Sequence, residues 1–226
     1  MGIRKISEPN FIQKTVMNGW FWLLFCSFLF TYPIIRSMNR ILPEGPSVIH
    51  NLPAYSLMDE NNKSFGSNDL KGKAYLANFF FTSCQTICLD LMEQMKKIQK
   101  RVRGLGTNVA LVSFTVDPEE DDPGTLFKYA RKLRANPHVW KFLTGSQKQL
   151  QSLLVDGFKV PMGEKEETAK DVWDVAHSSR IVLVDALGGV LGYYSTEKDD
   201  INRLMIDLGL LVNKDKLNFK KKEKEG

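Results

Sequence analysis

Two cysteines four residues apart, Cys84 and Cys88, close an apolar, aromatic run that reads Phe79-Phe80-Phe81-Thr82-Ser83-Cys84-Gln85-Thr86-Ile87-Cys88. The 226-residue chain contains three cysteines in all, so a close pair points to chemistry. If a helix begins near Cys84, residues four apart share one of its faces, with Cα atoms about 6 Å apart. A disulfide tolerates that separation. The same spacing aims both sulfurs at one metal ion. Disulfide exchange and metal binding therefore stand level on spacing alone, and a purely structural disulfide is the plainest third reading.

A third ligand separates these options. The chain has three histidines, His50, His138 and His177. His50 falls in a linker, and His138 follows Pro137 in what reads as a surface turn. His177 lies in Asp174-Val175-Ala176-His177-Ser178, just ahead of an expected strand at Ile181. A loop at a strand edge reaches the helix start near Cys84; the plain alternative is a hydrogen-bonded loop residue. Two thiolates and one imidazole form a soft donor set that suits Cu(I). Zinc accepts the same ligands, but a structural zinc site normally takes four.

The elements that must position these residues follow from pattern. Ala74 to Phe80 is a continuous apolar run, as in a strand buried on both faces. Asn108 to Val116 reads as a second such strand. Leu89 to Val102 carries apolar residues at helical spacing, stopped by Gly104 and Gly106. Further strands are expected at Ala54–Met58, Trp140–Leu143, Ile181–Asp185 and Val190–Tyr194, the last two joined by a hairpin at Leu187-Gly188-Gly189. Further helices are expected at Pro123–Leu133, at Ser146–Val155 with Ser146 as N-cap, and at Asp199–Leu211. Gly157 to Trp173, rich in charge, reads as an exposed loop or hairpin. Strands alternating with helices, then a hairpin and a helix, predict an α/β fold with a central mixed sheet. In such sheets, sites form where strand C-termini meet helix N-termini, which is where Cys84 falls.

The ends of the chain have a different character. Val16 to Ile35 holds twenty residues without a charge. At about 1.5 Å per helical residue, that length spans the roughly 30 Å hydrocarbon core of a bilayer. Trp20, Trp22 and Tyr32 lie toward its ends, where amphipathic rings favour the interface. Arg4, Lys5 and Lys14 precede it and Arg36 and Arg40 follow, a balance that leans toward the N-terminus inside. The stretch is long and bulky, with no small-residue cleavage site after it. Phe25 stands before Cys26 where a lipid-anchor signal has a small residue. The expected organisation is a cytoplasmic N-terminus (1–15), a transmembrane anchor (16–36), a linker (37–52), a folded α/β domain (53–212) and a basic tail (213–226). With such an anchor the domain lies outside the cytoplasm, in a bacterium in the periplasm, where thiols are kept oxidised unless something reduces them. Net charge is +5, much of it in the tail. No arginine-rich stripe with interleaved aromatics supports nucleic-acid binding.

Three blocks together resemble a known family. They are Phe81-Thr82-Ser83-Cys84 with Cys88; Thr115-Val116-Asp117-Pro118-Glu119 with Asp122-Pro123; and His177-Ser178 before a strand, with Asp185 after it. In order and spacing, across roughly Leu52 to Leu211, the chain resembles the Sco (SenC) family. The resemblance implies a membrane-anchored thioredoxin-like fold with copper held by Cys84, Cys88 and His177. It implies delivery of copper to the copper-bearing subunit of cytochrome c oxidase, or to another copper carrier. The alternative it implies is thiol–disulfide reductase activity of the Cys84–Cys88 pair, keeping partner cysteines reduced without copper transfer. The site would lie in the periplasm of a bacterium or at the inner membrane of a mitochondrion. Where the family pattern has Pro after each Cys, this chain has Gln85 and Leu89. Asp117 and Asp122 read as caps and turn residues.

Overall fold

A computed structural model describes the backbone of residues 11–38, 45–84, 87–160 and 180–225. His177 lies outside the described residues, as does most of the expected charged loop before Ile181. Two units separate by their contacts, Met1–Pro43 and Glu44–Gly226.

The first unit is helical. Helix α1 (Phe11–Met17) ends at Asn18, whose side-chain oxygen accepts the Trp20 backbone N–H (3.1 Å) and so opens α2 (Gly19–Met38) as its cap. The expected span of 16–36 is thus broken near its start. The continuous apolar part is Gly19–Ser37, 19 residues with a mean hydropathy of 1.3. Its large side chains, Trp20 and Leu24 through Ile35 among them, are exposed around the helix. A helix apolar all round belongs in a protein core or a membrane, and none of the described residues of its own unit covers it.

The second unit is built on one sheet. In chain order its elements are β1 (His50–Asn51), β2 (Ser56–Asp59), β3 (Ser64–Gly66), β4 (Ala74–Phe80), α3 (Ile87–Arg101), β5 (Val109–Thr115), α4 (Pro123–Leu133), β6 (Trp140–Thr144), α5 (Gln147–Ser152), β7 (Ile181–Val184), β8 (Gly189–Tyr194) and α6 (Lys198–Glu225). The strand order is β1-β8-β7-β4-β5-β6-β2-β3. Strands β4, β5 and β6 run parallel, and the remaining pairings are antiparallel. This is the α/β fold with a mixed sheet that the pattern predicts. Every residue of β4 and β5 is buried, as continuous apolar runs in parallel strands require. Alternation sends neighbouring aromatics to opposite faces. Phe79 stacks with Phe114 and meets Phe158 edge to face on one face (centroids 5.9 and 5.1 Å), while Phe80 meets Tyr129 and Phe142 on the other (5.4 and 5.7 Å).

Several expectations differ from the structure. The segment read as linker, 37–52, contains β1, and His50 pairs with Val190 while its Nε2 lies 2.9 Å from the Gly157 carbonyl. The opening of the expected exposed loop is buried, with Phe158 and Val160 in the core. Helix α6 continues through the tail to Glu225, because the run from Leu210 onward has no Gly or Pro before Gly226 and is rich in Lys and Glu, good helix formers.

A buried polar chain crosses the sheet toward α3. The Trp140 indole N–H donates to Ser113 Oγ (2.8 Å), Ser113 Oγ–H donates to Asn78 Oδ1 (2.6 Å), and the Asn78 amide faces Met92 Sδ (3.8 Å). Asn78, Ser113 and Trp140 are fully buried. Replacing Ser113 with Ala strips the indole donor and the amide oxygen of their partner at once. Stranding a buried polar group costs about 1–3 kcal/mol. Ser113→Ala is therefore expected to lower the urea midpoint with an unchanged m-value; an unchanged midpoint would count against the chain.

Candidate functional site

Register places the site. Strands β4 and β5 pair in parallel from Ala74↔Val109 to Phe80↔Thr115, so both end at the same level. The loop leaving β4 therefore runs beside the acidic block leaving β5, and the Val116 N–H donates to the Phe80 carbonyl (2.9 Å). Beyond Phe80 the chain turns: the Cys84 N–H donates to the Phe81 carbonyl (3.3 Å). Cys84 is half-buried and packs against the core, while Ser83 is exposed. Helix α3 begins at Ile87, with Cys88 as its second residue. Cys88 is helical, whereas Cys84 lies in the turn that leaves β4.

Asp121 explains why that turn keeps its shape. It is 1% exposed, and its carboxylate accepts the Thr82 backbone N–H (3.1 Å), the Thr82 hydroxyl and the Thr115 hydroxyl (2.5 Å). Its own N–H donates to the Asp117 carbonyl (3.0 Å), and the Asp117 N–H donates to Thr115 Oγ1 (3.1 Å). One buried carboxylate thus ties the cysteine loop, the end of β5 and the acidic turn together. The sequence pattern offers Asp121 or Asp122 near the start of α4 and marks Asp117 and Asp122 as caps and turn residues, but it does not tie Asp121 to the cysteine loop. The available signal was a Thr at each strand end with a run of acids between β5 and α4.

The neighbouring carboxylates have separate roles. Asp122 caps α4: its side chain accepts the Thr125 N–H (2.6 Å), and that bond holds its carboxyl below the usual range. Asp117 is nearly buried, and burial first, then the Asp121 carboxylate, push its pKa up. A carboxyl raised in the folded state supports folding in acid and loses that support as pH rises through the folded value. Asp117→Asn is therefore expected to raise Tm at neutral pH by a few degrees, on the order of 1 kcal/mol. No gain is expected at pH 3; a loss of stability at pH 7 would contradict the assignment. Asp185 closes the β7–β8 hairpin, where its Oδ1 accepts the N–H groups of Leu187 (2.8 Å) and Gly189 (2.7 Å). Gly188 takes φ +88° in that turn, a conformation that favours glycine.

Of the expected ligand set, Cys84 and Cys88 fall at one strand-to-helix junction, and His177 lies outside the described residues. Among the described residues, no group of three or more His, Cys, Asp and Glu side chains converges to hold a metal ion. His50 and His138 are placed away from such a role, in β1 and in the turn before β6.

Residues 47–209 match the family model for SCO1/SenC, a stretch that contains both cysteines and His177. The chain belongs to the SCO1/SenC family. The SCO1 protein homolog of Bacillus subtilis is 34% identical over 156 residues, which are 65% of this chain and 77% of that protein. Among solved structures, BsSco is 27% identical with a TM-score of 0.65, covering 75% of this chain and 98% of its own. It is described as having a disulfide switch and as a member of the Sco family of cytochrome c oxidase assembly proteins. ScoI of Arabidopsis thaliana, solved with copper bound, is 26% identical with a TM-score of 0.59, covering 72% of this chain and 98% of its own. The SCO1/SenC fold of this chain is accordingly thioredoxin-like, as its sequence resemblance implied.

Proposed function

We propose that this chain is a membrane-anchored copper-binding protein that takes part in maturing the copper site of cytochrome c oxidase, with copper held by Cys84, Cys88 and His177. The observation that carries this reading is the junction at the end of β4. There a chain of the SCO1/SenC family carries two cysteines four residues apart, one in the turn that leaves β4 and one in α3. Two thiolates and a neutral imidazole form a soft set suited to Cu(I). Copper-bound ScoI supports copper as the cargo. The description of BsSco supports an oxidase-assembly setting, with the copper-bearing subunit or another copper carrier as partner.

The helix Gly19–Ser37, long and apolar enough to cross a bilayer, supports anchoring, with the α/β unit on the periplasmic side of a bacterial inner membrane or at the mitochondrial inner membrane. The test is a Cu(I) titration of the reduced full chain in detergent, read by X-ray absorption. One copper per chain with two sulfur and one nitrogen neighbours is the expected result. No binding, or a coordination sphere without nitrogen, would sink the ligand set.

The disulfide switch described for BsSco favours a second reading, thiol–disulfide exchange by the same two cysteines. In exchange, a thiolate attacks a disulfide sulfur through a mixed disulfide, and no imidazole ligand is needed.

A further inference from the structure

We propose that Asp121 is the positioning residue of the cysteine site, holding the Cys84 turn in the geometry from which the thiols act. The inference rests on the copper reading given above, although one of its readouts does not depend on copper. Three donors converge on this one carboxylate, and two of them belong to Thr82, two residues before Cys84. The third, Thr115, ends the strand paired with β4, so the loop is referenced to the most buried part of the sheet. No proline occurs between Thr82 and Leu89, so no ring fixes a backbone φ angle there. Hydrogen bonds supply the constraint instead, and Thr82 gives two of them to Asp121. A carboxylate matches the task because it accepts in several directions at once and donates nothing. An Asn at 121 presents an NH₂ group to donors and breaks part of the set. A turn held before the metal arrives loses less conformational freedom on binding, so affinity rises with the clamp intact.

The same carboxylate also joins β5 to its following turn, so a purely structural role has to be separated experimentally. Asp121→Asn and Thr82→Val each remove part of the clamp, and Thr82→Ser keeps the hydroxyl. Asp122→Ala removes only the α4 cap and serves as a control of lowered stability. Copper affinity of the full chain is measured by competition with bicinchoninate. The expected result is about tenfold weaker Cu(I) binding in Asp121→Asn and Thr82→Val, about 1.4 kcal/mol, with wild-type affinity in Thr82→Ser and Asp122→Ala. Unchanged affinity in both clamp variants overturns the proposal, and should Asp121→Asn not fold, Thr82→Val decides.

The equilibrium of the Cys84–Cys88 pair with dithiothreitol is the second readout. There the reductant's two thiols give two electrons and two protons, becoming a cyclic disulfide, while the protein disulfide becomes two thiols. A severalfold shift in that equilibrium is expected in the clamp variants. If the wild type binds no copper, the copper reading fails, and this equilibrium alone decides on Asp121: a shift supports the clamp, and none overturns it.

Discussion

Replacing Cys84 or Cys88 with Ser is expected to abolish stoichiometric Cu(I) binding by the reduced full chain, and replacing His177 with Ala to weaken it by more than about 100-fold. The magnitude follows from what ligands do. Groups that merely orient a ligand typically change metal affinity by 10–100-fold, so loss of a direct donor exceeds that. Serine is nearly isosteric with cysteine but exchanges a soft thiolate for a hard, neutral hydroxyl, which Cu(I) disfavours. The two classes of variant also separate the two functional readings. Disulfide exchange needs both sulfurs and no imidazole, so His177→Ala should keep exchange activity while losing copper. Loss of exchange in that variant would mean that copper and thiol chemistry share one mechanism. Copper retained at wild-type affinity in His177→Ala would remove the histidine from the ligand set.

Replacing Lys141 with Met is expected to destabilise the fold by about 3 kcal/mol at neutral pH. Lys141 Nζ bridges Asp59 Oδ2 (2.9 Å) and Glu60 Oε1 (3.3 Å), and the two carboxylates are 3% and 5% exposed. The other Glu60 oxygen accepts the Phe142 N–H (3.0 Å), tying the group to β6. Removing the cation leaves two nearly buried negative charges together, a loss that exceeds any gain from the new apolar side chain. The lysine is itself about one-fifth exposed, which places the cost at the low end of the range for breaking buried pairs.

The pH dependence has a definite sign. Burial disfavours the Asp59 charge, but the Lys141 ammonium and the backbone N–H groups of Lys63 and Asn61 outweigh it and hold the carboxyl below its usual range. Its stabilising contribution is therefore complete above the ordinary carboxylate pKa of about 4 and is lost as pH falls through the lower, folded value. Burial likewise opposes the Lys141 charge, and the two carboxylates outweigh it, raising its pKa. That contribution is complete below the ordinary lysine value and fades only as pH rises through the folded one. The gap between wild type and Lys141→Met should thus be widest from about pH 5 to pH 9 and narrow on acidification, as the unpaired Asp59 carboxylate protonates. Urea midpoints at pH 7 and pH 3 check this; an equal gap at both values would contradict the pairing.

Some elements were legible because their local signals agree. Asp122-Pro123 announces α4, with the cap and a proline at the first helical position, and the helix spans Pro123–Leu133 as read. Ser146 caps α5 through a capping box with Gln149, although the helix gives way to a π-helical turn at Leu153–Gly157. The short strands β1 and β3 escaped notice because two or three residues carry no period, and only their partners β8 and β2 make them strands. Phe158 likewise reads as part of a loop, and its burial depends on Phe79 and Phe114 arriving from two strands.

At the site the division is sharper. The thiol pair, its place after a buried strand, the apolar N-terminal stretch and the family resemblance are all properties of local order along the chain, because residue type and spacing carry them. The clamp on the cysteine turn is not. Thr82 and Asp121 are 39 positions apart. They meet because β4 and β5 pair in parallel and end level at Phe80 and Thr115. Which of the acidic residues after β5 turns inward was decided by that register and by burial. A carboxylate taken from water needs several donors at once, and only the folded sheet brings Thr82 and Thr115 to Asp121.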